Sequence, residues 1–395
     1  MYPHFSDRMT NMQPSSVREI FKALSDPSVI SLAGGNPSPL TFPARELGEI
    51  SARMYADNAT AFLQYGISEG YAPLIEKTKF RMANKFGIGG ADDEVIITSG
   101  GEQGIDLVLK VLTNEGDTVL CEDPTFVGAL NDIRSYATNI VGIPVDDDGM
   151  DIDALERALE TEKNVKLIYT IPTFQNPSGV TMSLERRQRM YDLAVKHNVI
   201  ILEDGPYFEL RYSGKHIPNI KSLDKTGHVI FCGSYSKLVA PGLRVGYLIA
   251  DKRLMPKIVI AKQCQDVHTP VYTQMLIDGY LENYDIDAHI ADSLRIYTAQ
   301  RDVMLSALDR HIGNRAHFTR PDGGLFVWCT LPNGISGREL CVKTSAKKVV
   351  CVPGGSFDPS GDEDKAGIRL NFSMPTPEQI ETGIQVVAEC LAEYL

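Results

Sequence analysis

The sequence predicts an α/β protein, with a three-layer, mostly parallel sheet in a large domain followed by a smaller α+β domain. Two observations predict this. From about Glu94 to Ile249 short apolar runs alternate with amphipathic segments. Strands joined by helices of that length need crossover connections, which cover a parallel sheet on both faces. After about Asp285 the texture changes to one long helical pattern followed by isolated strand-like runs. The expected division is therefore an arm over 1–45 that packs on the small domain, a large domain over 46–284 and a small domain over 285–395.

Each element has its own justification. The arm carries little sheet signal and many turn residues, among them Gly34, Gly35, Asn36, Pro37 and Pro39. In the large domain Val95-Ile96-Ile97 reads as a strand, and Ile105, Val108, Leu109 and Leu112 fall at i, i+3, i+4, i+7, the spacing of one helix face. The alternation continues through Thr118 to Cys121, a helix near Gly128 to Ala137, Lys166 to Tyr169, a helix over Leu184 to His197, and Val199 to Leu202. Strand runs at His228 to Phe231 and Val245 to Ile249 complete this domain. In the small domain a long helix runs to Arg310. Leu325 to Trp328, Val349 to Val352 and Ile368 to Phe372 read as strands, and a helix starts at Pro377.

Composition narrows the function. With 43% hydrophobic and 23% charged residues over 395 positions, the chain is an ordinary globular sequence, which excludes collagen, coiled coil and disorder. A net charge of -12 is repelled by phosphate backbones and anionic lipid, so neither nucleic acid nor a membrane surface is an expected partner. The 7 cysteines contain no C-x-x-C pair, and the first residues lack the charged-then-apolar pattern of a signal peptide. The uncharged stretch from Leu167 to Leu184 is interrupted by Pro172, Asn176, Pro177 and Gly179. A soluble protein of the reducing cytoplasm is expected. No histidine spacing suggests a metal site, and Asp146-Asp147-Asp148 reads as a solvated turn before Gly149.

Four segments carry chemistry. Ser234-Tyr235-Ser236-Lys237 follows an apolar strand and precedes Pro241-Gly242-Leu243-Arg244. A lysine used as a nucleophile needs cationic or desolvating neighbours, and Arg244 could supply such a field. Taken alone, the run reads far more readily as a surface lysine at a strand end, by roughly ten to one. Glu203-Asp204-Gly205-Pro206-Tyr207 places an acid at the carboxyl end of a strand, where open α/β sheets bind ligands, although Asp before Gly-Pro is also a common turn cap. Asn176, in Gln175-Asn176-Pro177-Ser178-Gly179, is either a turn residue or a donor into the same cleft. Thr98-Ser99-Gly100-Gly101-Glu102-Gln103-Gly104 joins a strand to a helix whose N-terminal amides could cradle a phosphate. It matches neither a nucleoside triphosphate loop nor a dinucleotide fingerprint. A phosphate site beside an amine, a carboxylate and a phenol suits pyridoxal 5′-phosphate as cofactor.

Over nearly its whole length, from Pro14-Ser15-Ser16-Val17-Arg18 and Ser31-Leu32-Ala33-Gly34-Gly35-Asn36-Pro37 to the last helix, the chain resembles the fold-type I pyridoxal-phosphate aminotransferases of class I/II. It is most similar in texture to their 2-aminoadipate, kynurenine and aromatic branch. The resemblance implies that Lys237 carries the cofactor as an imine and that Asp204 pairs with the ring nitrogen. It further implies that Asn176 and Tyr207 bond the ring oxygen and that Phe126, in Asp123-Pro124-Thr125-Phe126, stacks on the ring. Ser234, Ser236, Arg244 and the amides of Gly101 and Glu102 would hold the phosphate, with Tyr65 lent by the partner of a homodimer. Arg369, in Ile368-Arg369-Leu370-Asn371-Phe372, would clamp the substrate α-carboxylate beside Gly35 and Asn176. Arg18 would greet a distal carboxylate, or else is an exposed arginine of a first helix. Two positions depart from the family's pattern: Gly101 is often Ser, and Phe126 replaces a Tyr of the aminoadipate and kynurenine enzymes.

The activity so implied moves an amino group from an L-amino acid of 2-aminoadipate, glutamate or aromatic type to a 2-oxo acid such as 2-oxoglutarate. Lys237 would act as both base and acid. The alternatives are a lyase or decarboxylase using the same cofactor, and a ligand sensor without activity.

Overall fold

The computed structural model describes residues 4–10, 26 and 28–395. A short strand, β1 (Ile30–Ser31), belongs to the arm. The large domain takes β2 (Asp93–Thr98), β3 (Thr118–Asp123), β4 (Asn139–Asp146), β5 (Gly149–Met150), β6 (Val165–Thr170), β7 (Ile200–Asp204), β8 (Val229–Ser234) and β9 (Gly246–Asp251). Their order across one sheet is β2-β9-β8-β7-β6-β3-β4-β5. β8, β7, β6, β3 and β4 are parallel, β9 runs against its neighbours β8 and β2, and β5 closes a hairpin with β4.

Period-two alternation along these strands makes the three layers. Ile96, Val119, Leu167, Tyr169, Leu202, Ile230 and Leu248 face one core with the helices Gly101–Leu112 and Met255–Gln263. Leu120, Ile168, Ile201 and Val229 face the opposite core with Ile152–Thr161 and Leu184–His197. The latter helix has the ends its sequence calls for: Ser183 accepts from the Arg186 amide, and Asn198 stops it in the left-handed conformation at φ 53.

The sequence reading missed β4. Its apolar run Ile140 to Val145 is broken by Gly142 and Pro144, and only Ile143 is buried because the strand lies next to the sheet edge.

The helix Ile286–His311 starts at an Asp285 cap that accepts from the Asp287 and Ala288 amides. It straddles two cores. Ile286, Ile290 and Tyr297 pack with the large sheet, whereas Met304, Ala307 and Leu308 pack with the small domain. The change of core thus falls between Tyr297 and Met304, and residue 285 marks only where the helix begins. The small domain builds an antiparallel sheet β10-β11-β14-β13 from β10 (His317–Phe318), β11 (Phe326–Thr330), β13 (Val352–Pro353) and β14 (Gly367–Asn371). The single strand expected over Val349 to Val352 is two. β12 (Val349–Val350) leaves the sheet to pair in parallel with β1 of the arm, and β13 pairs with β14. That pairing leads the arm across the small domain, where the Leu32 carbonyl accepts from the Asn371 amide at 2.7 Å.

Candidate active site

The carboxyl ends of β3, β6, β7 and β8 lie along one sheet edge, and the loops leaving them build a cleft of about 320 Å³. Asp204 is the last residue of β7. Strand alternation separates it from Glu203, whose carboxylate accepts from Asn219 Nδ2 and the Ile220 and Lys221 amides at 2.7–3.1 Å. Capping is therefore done by Glu203, and Asp204 is left to line the cleft while only 5% exposed. Its Oδ2 accepts from the Tyr169 hydroxyl at 2.8 Å. Burial pushes the Asp204 carboxyl up to about 7. The Tyr169 bond opposes that rise, and the carboxyls of Glu102 and Glu122 add to it.

Lys237 follows β8 and reaches into the same cleft, where Nζ donates to the Gly35 carbonyl at 2.8 Å. Burial pulls its pKa down to about 8, and the Arg369 and Arg244 guanidinium groups act in the same direction. Only the neutral amine is nucleophilic. Acylation of Lys237 by an N-hydroxysuccinimide ester, followed by peptide mass spectrometry, should therefore rise about tenfold per pH unit up to about 8 and then level off. Exposed lysines should keep climbing to about pH 10.

An anion cradle adjoins the amine. Gly100 adopts φ 85 at the start of the helix Gly101–Leu112, and a Cβ there would collide with the Arg244 guanidinium. Arg244, itself left-handed at φ 52, donates to the carbonyls of Ser99 (3.2 Å) and Pro241 (3.3 Å) and forms no ion pair among the described residues. Ser234 Oγ donates to Ser236 Oγ at 2.9 Å and accepts from the Ser236 amide at 3.1 Å. Two hydroxyls, a guanidinium without a carboxylate partner among the described residues and a helix N-terminus thus face one spot, the donor set a phosphate needs.

On the opposite wall the Arg369 guanidinium lies between the Phe326 and Phe357 rings, 4.3 and 4.9 Å from their centroids. It donates to Asn176 Oδ1 at 2.9 Å and to the Ala33 carbonyl at 2.7 Å. It is 3% exposed, and burial lowers its pKa to about 10, so it remains a cation with no carboxylate partner among the described residues. Burial raises the pKa of the Tyr207 phenol, and the Arg369 charge and the Asn176 side chain oppose that rise. Phe126 occupies the N-cap of the helix Val127–Ser135 and lines the cleft.

The cleft thus brings together Gly35, Gly101, Glu102, Phe126, Asn176, Asp204, Tyr207, Ser234, Ser236, Lys237, Arg244 and Arg369. Tyr65 is not among them. It is 83% exposed, with its ring edge-on to His268. Arg18 lies outside the described residues. Sequence reasoning missed Tyr169 and the apolar lining of Ile105, Val127, Ile171 and Phe326. A signal for Tyr169 existed: a tyrosine inside a fully buried strand needs a partner for its hydroxyl.

Residues 27–387 match the family described as aminotransferase class I and II. The chain is 41% identical to aromatic-amino-acid aminotransferase 1 of Thermococcus litoralis, covering 99% of this chain and 95% of that one. It is 36% identical to the 2-aminoadipate transaminase of Thermus thermophilus, over 97% and 95% of the two chains. Among solved structures it is similar to a Pyrococcus horikoshii kynurenine aminotransferase in complex with PMP, at 39% identity and a TM-score of 0.95 over 99% and 97% of the chains. These proteins are all aminotransferases, which favours amino-group transfer over the lyase and decarboxylase alternatives. The chain belongs to the class I and II aminotransferases.

Proposed function

We propose that this aminotransferase uses pyridoxal 5′-phosphate and moves the amino group of an aromatic or 2-aminoadipate-type L-amino acid to a 2-oxo acid such as 2-oxoglutarate. The observation that carries the reading is that a lysine with a destabilised ammonium and a buried acid line the same cleft as two arginines without carboxylate partners among the described residues. The donor set fits the cofactor. Ser234, Ser236, Arg244 and the Gly101 and Glu102 amides would hold its phosphate, Phe126 would pack on its ring, and Asn176 and Tyr207 would bond its ring oxygen. Asp204 would pair with its ring nitrogen. When bound, this cofactor supplies an aldehyde that carries the amino group and a protonated ring that draws electron density from the substrate Cα.

Lys237 would hold the cofactor, and its neutral amine is the base placed to take the proton from the substrate Cα. An amine whose pKa lies near 8 both accepts and returns that proton close to neutrality. Arg369, with Asn176 and Gly35, holds the substrate α-carboxylate and so fixes which Cα bond faces Lys237. Tyr65, exposed in one protomer, serves the phosphate of the partner in a homodimer. All seven cysteines are free, which suits the cytoplasm. No helix among the described residues is long and apolar enough to cross a membrane.

The substrate side chain meets Ile105, Val127, Ile171 and Phe326, a lining suited to aromatic or aliphatic groups. The cations among the described lining residues, Lys237, Arg244 and Arg369, each have a role already. A distal carboxylate therefore depends on Arg18. The test is to mix cofactor-loaded protein with a panel of L-amino acids and follow the absorbance of the bound cofactor. Aromatic amino acids and 2-aminoadipate should bleach it and 2-oxoglutarate restore it, with Arg18→Ala weakening only the dicarboxylic substrates, by about tenfold. Release of carbon dioxide or ammonia in place of a 2-oxo acid would refute the reading.

A further inference from the structure

We propose that Tyr169 is a positioning residue that makes Asp204 present a single oxygen to the ring nitrogen of the cofactor, and that this bond sets how strongly the site selects a ring that contains nitrogen. The inference rests on the cofactor reading above.

The geometry begins with two adjacent parallel strands. Tyr169 on β6 is in register with Leu202 on β7, which places Asp204 two residues further along on the same face. The phenol spans that diagonal to reach Asp204 Oδ2 at 2.8 Å. Tyr169 is 1% exposed, and burial together with the charge of Asp204 holds its proton in place, so toward the Asp204 carboxylate the phenol is the donor. Its hydroxyl makes no other hydrogen bond among the described residues. Asp204 Oδ1 makes none at all there, while Asp204 itself lines the cleft. One oxygen is tied back and the other is offered.

Among the described residues no other group does this for Asp204. The nearby Glu122 has its own donors in Thr170, the Ile171 amide and Gln175, at 2.7, 3.0 and 3.2 Å. Glu102 and Glu122 only oppose a charge on Asp204. Without the phenol the Asp204 carboxyl is free to turn, and a nitrogen held by one turning oxygen is a weaker contact than one held by a fixed oxygen.

A tyrosine kept only for packing would be replaced by phenylalanine without effect, because the ring fills the same volume among Ile171, Leu202 and Cys232. The test uses that substitution. Wild type and Tyr169→Phe are titrated with pyridoxamine 5′-phosphate and with its analogue in which carbon replaces the ring nitrogen. Neither ligand can form a bond to Lys237, and the ratio of two affinities on one preparation is unaffected by any fraction of unfolded chain. Wild type should prefer the nitrogen ring by about a hundredfold, the range of a charge-assisted hydrogen bond. Tyr169→Phe should cut that preference about tenfold, with affinity for the carbon analogue unchanged. An unchanged ratio, or equal weakening of both ligands, would overturn the proposal. Wild type that binds neither ligand would instead overturn the cofactor reading, and this inference with it.

Discussion

Lys237→Ala is expected to lower turnover by at least about a thousandfold, the scale of a lost general base compounded by a lost covalent anchor. The loss has no substitute in the site. Lys237 is the only lysine lining the cleft among the described residues, and the other two cations there, Arg244 and Arg369, cannot give up a proton near neutrality. The fold should survive. In the wild type the ammonium is held in a buried place between two guanidinium groups, which brings its pKa from 10.5 to about 8. Between those two values the unfolded chain binds more protons than the folded one, so wild-type stability gains with rising pH. Relative to the wild type, the variant should therefore look best below pH 8 and lose ground toward about pH 10.5, a trend that thermal unfolding at several pH values would record. A variant with full turnover, or with a stability difference independent of pH, would remove Lys237 from the role given to it.

Much of this was legible in the sequence, for a physical reason. Buried parallel strands must be apolar on both faces, so β3, β6, β7 and β8 stand out as continuous runs, and the residues just past them identify themselves as cleft residues. Asp204, Asn176 and Lys237 were found in that way. What stayed hidden is set by neighbours distant in sequence. β4 is half of the edge hairpin, and Gly142 and Pro144 interrupt its apolar run. β1 is two residues long and exists only because Val349 and Val350 lie beside it. Tyr169 gains its meaning from a residue on the next strand, and Arg369 from two phenylalanines on β11 and in the turn before β14. Tyr65 stands outside the cleft and is 83% exposed, so nothing among the described residues of this chain gives it a role.

Asp204→Asn should separate function from stability in opposite directions. Asparagine keeps an oxygen for the Tyr169 hydroxyl, so the local geometry holds while the negative charge facing the ring nitrogen is gone. Breaking a buried charge pair on one side costs about 3–5 kcal/mol, which corresponds to a loss of about two to four orders of magnitude in turnover. Without cofactor the sign reverses. Burial raises the Asp204 pKa from 3.8 to about 7, so between those values the folded chain binds more protons than the unfolded one and stability falls as pH rises. The cost is complete above pH 7 and absent below about 4, and it amounts to a few kcal/mol. Cofactor-free Asp204→Asn should accordingly unfold at a higher temperature than wild type at about pH 8, with the difference shrinking to nothing near pH 4. Loading with pyridoxal 5′-phosphate should narrow the gap at pH 8 by stabilising the wild type more than the variant, because only the wild type gains a cation beside its strained carboxylate. If Asp204→Asn were less stable than wild type at pH 8 without cofactor, the acid would be a structural partner of Tyr169, and its burial would need an explanation outside catalysis.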